Sequence, residues 1–374
     1  MKSLRFPLIF WAVHRVLFTA LLGLAVSDLP SPQFTLRGWE NEARLSGFHQ
    51  GHLIWDANWY LSIARDGFTN LASESGQRDT AFFPAFPMLI RMVDQWVGDL
   101  FWSGILVKEL CFLLAVLLVF CWAKDRMNER SARKTVLILL SFPSAFILGH
   151  IYTEGLFLAA VAMSFLFAHR GRLWGTLLGG LIAGTTRVMG VMLSLSLTHL
   201  QLSEGLGVFF RRRVWFTLGP LLGLGMVMLW NQVEWGDPLI FVRSQMVPGW
   251  AGSEGLQSFL WWIRALERAD YWGSPDFWVR FSGSISIFIG LGVSVYSALK
   301  VPVLRSESWF GVLNLLGSIV LWRSGLRFLV VLPSFFAMGA LKVSEPVLYW
   351  VVIPLSLALQ ILLHDQFVKW AFFM

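Results

Sequence analysis

Apolar runs of membrane-crossing length, separated by short basic clusters, constrain this chain more than any other feature. The first occupies residues 6–26 and the next full one residues 101–123; others follow at 214–232, 281–299, 309–321, 328–341 and 347–363. A helix needs roughly 20 apolar residues to cross the hydrocarbon core of a bilayer. Only helices and closed barrels satisfy their backbone polar groups there. The composition agrees, with 56% of the 374 residues hydrophobic and 14% charged, whereas soluble domains are about one quarter charged. The expected fold is an all-α polytopic membrane protein of about 9–13 transmembrane helices. Residues 1–374 form one transmembrane domain in this reading, capped by external loops at about 27–100 and 233–280.

Charge sets the orientation. The net charge is +7, and the basic residues stand in clusters between the apolar runs: Lys2 and Arg5, then Lys124, Arg126, Arg130, Arg133 and Lys134. Further clusters follow at residues 169–172, at 211–213, and at Lys300 and Arg305. This is the positive-inside pattern, not a binding groove for nucleic acid, and no nucleic-acid partner is expected. Cys111 and Cys121 share one apolar run, which argues against a disulfide framework or a metal site. No small-residue cleavage site is apparent in the first run, so it should remain as an anchor. His14 and Arg15 interrupt that run. A buried arginine costs about 2.5–3.5 kcal/mol on the insertion scale, so Arg15 should find a partner inside the bundle.

Counting runs against their basic flanks gives about eleven crossings. Residues 174–200 fit both of their flanks only as two short helices meeting externally at Gly184-Thr185-Thr186-Arg187, an arrangement allowed where broken helices line a cavity. Asp56, Glu154, Arg187, Gln245 and Arg327 then lie together on the side away from the cytoplasm. Nucleotide sugars are cytoplasmic, and the chain carries no Gly-rich phosphate loop for one. A sugar donor reaching the far side must therefore be carried on a lipid.

The stretch from Trp55 to Pro87 sets four carboxylates and two arginines among aromatics, beginning Trp55-Asp56-Ala57-Asn58-Trp59-Tyr60 and ending Ala81-Phe82-Phe83-Pro84-Ala85-Phe86-Pro87. A carboxylate beside aromatic rings suits a sugar, since rings cover its apolar faces while the carboxylate takes a hydroxyl proton. The same residues equally suit an interfacial helix whose tryptophans sit at the lipid headgroups. Pro84 and Pro87 suggest a re-entrant or interfacial turn. His49, His52 and Asp56 have the spacing of one helical face, although loops at membrane surfaces gather such residues without binding a metal, and none is expected.

The motif Trp55-Asp56, Tyr60, Ile63-Ala64, Gly67-Phe68 followed by 81–87 resembles the GPI mannosyltransferase that adds the second mannose, and its bacterial relatives in the GT-C superfamily. Three later stretches are also similar: Tyr152-Thr153-Glu154-Gly155-Leu156-Phe157, Thr186-Arg187-Val188-Met189-Gly190, and Gly236-Asp237-Pro238-Leu239 with Phe241 and Gln245. The resemblance implies a GT-C-like bundle with a long first external loop, transferring mannose or a related hexose from a polyprenyl-phosphate carrier such as dolichyl-phosphate-mannose. It implies inversion, Asp56 as general base, no cofactor and no metal.

Arg187 is the first choice for the donor phosphate, with Arg327 and Arg243 behind it, because the planar guanidinium meets two phosphate oxygens at once. Trp55, Trp59, Tyr60, Tyr152, Glu154 and Gln245 are the further substrate-binding residues implied. The acceptor is a lipid-anchored species or a glycan. Ile54 and Met189 depart from the His and Asn of many family members, which leaves the acceptor open. The protein is expected as a monomer in a bacterial cytoplasmic membrane with an external site, or in the endoplasmic reticulum with a lumenal one. The rival from another class is a lipid transporter or flippase, for which related halves and mid-membrane polar groups would be needed and are not found; a catalytically inactive scaffold of the same fold is a further alternative.

Overall fold

In the computed structural model the described residues are 2–26, 47–73, 76–202, 205–206, 213–247, 275–318 and 325–369. They are almost entirely helical, and their β-structure is limited to an isolated bridge between Ala72 and Arg78. The helices are α1 (Arg5–Ala25), α2 (Gly47–His52), α3 (Asp56–Asp66), α4 (Ala85–Val97), α5 (Leu100–Arg126), α6 (Glu129–Ser141), α7 (Glu154–His169), α8 (Leu173–Thr186) and α9 (Met192–Leu202). The chain continues through α10 (Leu218–Trp235), α11 (Ile240–Gln245), α12 (Pro275–Lys300), α13 (Arg305–Gly317), α14 (Gly325–Leu329), α15 (Pro333–Lys342) and α16 (Ile353–Val368).

Among the described residues, five helical segments are long and apolar enough to cross a membrane: 5–25, 100–126, 214–235, 282–300 and 345–368. Helices α7 and α8 and the segment 188–202 are apolar but shorter. The protein is an all-helical polytopic membrane protein. Leucines and valines on the outside of α1 and α16, among them Val16, Leu24, Leu355 and Leu362, are exposed, as a lipid-facing surface requires.

Local chemistry sets the ends. Asp99 caps α5 by accepting from the Trp102 amide at 3.0 Å, and Asn128 caps α6 through the Ser131 amide at 2.8 Å. Both satisfy helix-start N–H groups. Gly98 (φ 70°) closes α4 in a left-handed conformation that suits glycine. On α4, Trp96 is 89% exposed and Met92 60%, whereas Phe86 and Ile90 are buried. Such a one-sided helix suits a membrane interface.

Helices α8 and α10 approach through small residues. Cβ atoms added at Gly180, Gly184, Gly219 or Gly223 would run into the backbone of the facing helix. This is the close packing that small-xxx-small spacing permits in membranes. It holds the end of α8, and with it Arg187, against the bundle. Arg15 meets Glu109 at 2.8 Å, with Lys108 on the same carboxylate at 2.9 Å, so the charge inside the first apolar run does find its partner.

Candidate active site

Four charged side chains from distant parts of the chain meet at one end of the bundle. Asp56 opens α3, Glu154 opens α7, Arg187 follows the last residue of α8, and Arg327 lies on α14. Arg187 takes an extended conformation (φ −153°, ψ 146°) that ends α8 before the chain resumes toward α9. The break expected at Gly184–Arg187 is therefore present. Its effect is to aim a guanidinium inward from a helix end.

The four groups form a chain of ion pairs. Arg187 Nη2 donates to Glu154 Oε1, and its Nε donates to Thr153 Oγ1 at 3.0 Å. Arg327 Nε donates to the same Glu154 oxygen, while Arg327 Nη1 donates to Asp56 Oδ2 at 2.7 Å. Two cations and two anions alternate, so the network is balanced. Glu154 is fully buried, whereas Asp56 keeps 21% of its side chain exposed. Burying a lone carboxylate is costly, and the two arginines make the buried Glu154 tenable. Among the described residues, no hydrogen bond engages Arg187 Nη1, Arg327 Nη2 or the second oxygen of Glu154.

Tyr152 holds Asp56 in position. Its hydroxyl donates to the Ile54 carbonyl at 3.4 Å and accepts from the Asp56 amide at 3.1 Å, bracketing Trp55. Trp55 has φ 53°, rare for a residue other than glycine. Its indole Nε1 is anchored on the Phe367 carbonyl at 3.3 Å. A strained residue held by neighbours on both sides directs the carboxylate that follows it. The Arg327 guanidinium lies over the Tyr152 ring at 4.7 Å. Burial, and then the Asp56 carboxylate, push the Tyr60 and Tyr152 phenols above their ordinary range, so both stay protonated beside Asp56.

The remaining residues fall into two groups. Trp59 stacks on Phe82 with ring centroids 5.8 Å apart, and the Tyr60 hydroxyl lies 3.4 Å from Thr153 Oγ1. Both belong to the same helix as Asp56. Gln245 donates to the Ala81 carbonyl at 3.2 Å, and the neighbouring Ser244 meets Thr80 at 2.7 Å. These contacts fasten α11 to the loop before α4. Arg243 is 76% exposed and pairs with Asp237 at 3.2 Å, and no hydrogen bond or ion pair among the described residues joins it to the network. His49 and His52 pack on Phe101 and Phe48. Among the described residues, no cluster of His, Cys, Asp or Glu converges for a metal. Of the loops named as the cap, residues 27–46, 74–75 and 248–274 lie outside the described residues, as do residues 211–212 of the basic cluster at 211–213.

Asp79 was not singled out by its sequence. It is buried and accepts from the Thr69 amide (2.7 Å), the Thr69 hydroxyl (2.8 Å) and the Asn70 amide (2.9 Å). It pins the loop between α3 and α4. Its position two residues before Ala81-Phe82-Phe83-Pro84 was the available signal.

No protein-family model and no curated protein matches this chain. Among solved structures, ArnT from Cupriavidus metallidurans bound to undecaprenyl phosphate aligns with a TM-score of 0.43 at 15% identity, covering 96% of this chain and 77% of that one. A likeness that weak adds nothing to what the geometry of the site says.

Proposed function

We propose that this protein is a GT-C-type membrane glycosyltransferase, moving mannose or a related hexose from a polyprenyl-phosphate donor to a lipid-anchored or glycan acceptor. The observation that carries this reading is Arg327 set between two carboxylates, of which Asp56 keeps an accessible surface and Glu154 does not. In this reading Asp56 takes the proton of the acceptor hydroxyl as its oxygen attacks the anomeric carbon. The bond from that carbon to the phosphate oxygen breaks with inversion. The departing lipid phosphate gains the negative charge that Asp56 loses.

Arg327 lies where that exchange of charge is felt. While Asp56 is ionised it holds Arg327 Nη1. Once protonated, Asp56 binds the cation less, and the guanidinium can serve the leaving phosphate. Arg187 supplies a second cation, and both arginines are oriented by Glu154. Tyr152 and Glu154, both buried, act as positioning residues. Trp55, Trp59 and Tyr60 form the aromatic side against which a sugar would lie. Gln245 shapes the site through α11. Arg243, exposed and paired with Asp237, is the weakest of the three arginines proposed for phosphate.

The test is product analysis. Purified protein is given polyprenyl-phosphate-mannose and extracted membrane lipids, or a nucleotide sugar with no lipid carrier. A mannosylated product from the first mixture alone supports the reading. Transfer from the nucleotide sugar contradicts it.

A further inference from the structure

The segment 144–154 touches every charged group of the candidate site, and all of its residues are buried. Ser144 Oγ donates to the Leu326 carbonyl at 2.8 Å, next to Arg327. The Tyr152 hydroxyl accepts from the Asp56 amide at 3.1 Å, and Thr153 Oγ1 accepts from Arg187 Nε at 3.0 Å. Glu154 receives both arginines. Between Ser144 and Glu154 lie a short turn, Ala145–Gly149, and a stretch outside any helix. The geometry of the site therefore depends on what fixes the middle of this segment.

Gly149 is that point. Its carbonyl accepts from Lys108 Nζ on α5, and from Arg15 Nη2 on α1 at 3.4 Å. A Cβ at residue 149 would run into the Arg15 guanidinium, so only glycine lets that cation lie against the backbone. Lys108 stands about 12 Å along α5 from its start at Leu100, and its side chain is 1% exposed. Lys108 and Arg15 both reach Glu109, so that among the described residues two cations share this one carboxylate.

A charge inside a bundle normally finds a partner. Arg15 and Glu109 are a complete pair by themselves, and Lys108 adds a buried charge which that pair does not need. Burying a charge is costly, and buried ion pairs are weak sources of stability. What Lys108 contributes beyond the pair is its bond to Gly149. We propose that Lys108 is a positioning residue for the Asp56 site: with Arg15 it clamps the Gly149 carbonyl, sets the chain from His150 to Glu154, and so fixes the Tyr152 hydroxyl that holds Asp56. Its effect on turnover rests on Asp56 as the base, whereas the clamp can be tested without any substrate.

The test uses the full chain in phosphatidylcholine nanodiscs. Lys108→Met removes the bond to Gly149 and leaves Arg15 paired with Glu109. Gly149→Ala crowds Arg15 away from the carbonyl without removing a charge. In both variants the Asp56 amide should exchange its hydrogen about tenfold faster, as in Tyr152→Phe, while the later amides of α3 keep their rates. Transfer from polyprenyl-phosphate-mannose by Lys108→Met should fall about tenfold with donor affinity nearly unchanged, because the carboxylate loses its aim. Residues that act through one contact are not additive, so Lys108→Met/Tyr152→Phe should lie within about twofold of the slower single variant. Independent losses would multiply to about a hundredfold. The proposal is overturned if Asp56 keeps its wild-type exchange in either variant, if exchange rises equally along α3 in both, or if the two losses multiply. A wild-type protein without transfer would count against the proposed function alone, and faster exchange confined to Asp56 would still support the clamp.

Discussion

Arg327 donates to Asp56 at 2.7 Å across 271 residues of sequence. The same guanidinium donates to the buried Glu154, so the accessible carboxylate and the hidden one are linked through a single cation. That linkage divides the labour at this end of the bundle. Glu154 fixes the arginines, and Asp56 meets whatever enters from outside.

Glu154 should therefore govern stability more than Asp56 does. Glu154→Gln takes the carboxylate from Arg187 and leaves Arg327 with Asp56 alone, and breaking a buried pair costs about 3–5 kcal/mol. Thermal unfolding in detergent should show a clear fall in Tm for Glu154→Gln and a much smaller one for Asp56→Asn. Equal losses would mean that Asp56 is as structural as Glu154.

Tyr152→Phe keeps the ring beneath Arg327 but removes the hydroxyl that bridges Ile54 and Asp56. The lost hydrogen bonds should cost about 1 kcal/mol of stability. Turnover should fall about tenfold as the carboxylate loses its aim, since small misplacements of a reacting group are costly. Wild-type turnover in this variant would show that Trp55 alone holds Asp56.

The α8–α10 contact offers a packing test. At Gly184 an added Cβ meets the Pro220 carbonyl, whereas at Gly225 it meets open space. Gly184→Leu should destabilise the protein by about 1–3 kcal/mol or more through overpacking. It should also lower activity by displacing Arg187. Gly225→Ala should do neither, as read by Tm and turnover.

Arg187→Gln should weaken binding of polyprenyl phosphate at least tenfold, and Arg187→Lys should restore only part of it. Lysine keeps the charge but lacks the planar fork. Full affinity in Arg187→Gln would remove Arg187 from the phosphate site.

What the sequence revealed depends on where each signal lay. The five long spans were legible because lipid permits few alternatives to long apolar helices, whereas the runs expected at 309–321 and 328–341 fall on shorter helices. The break at Arg187 was legible because basic flanks on both sides demanded an even number of passes between them. Arg15 was legible as a paired charge because an apolar run cannot hold it otherwise, although Glu109 as its partner was not. Asp56, Glu154 and Arg187 could be named singly. Their connection through Arg327 could not, because no local pattern links α14 to α3. Asp79 was hidden for a different reason: a carboxylate that pins a loop looks in sequence like any polar loop residue.

The most direct measurement is single-turnover transfer by Asp56→Asn, made alongside donor binding. Asparagine keeps the size of the side chain and can still meet Arg327 through its carbonyl, but it cannot accept the acceptor proton. Turnover should fall about 10²- to 10⁴-fold, with polyprenyl-phosphate-mannose affinity nearly unchanged. Asp66, paired with Arg65 at the surface, is the control, and Asp66→Asn should remain active. Near-normal turnover in a folded Asp56→Asn protein with intact donor affinity would contradict Asp56 as the base.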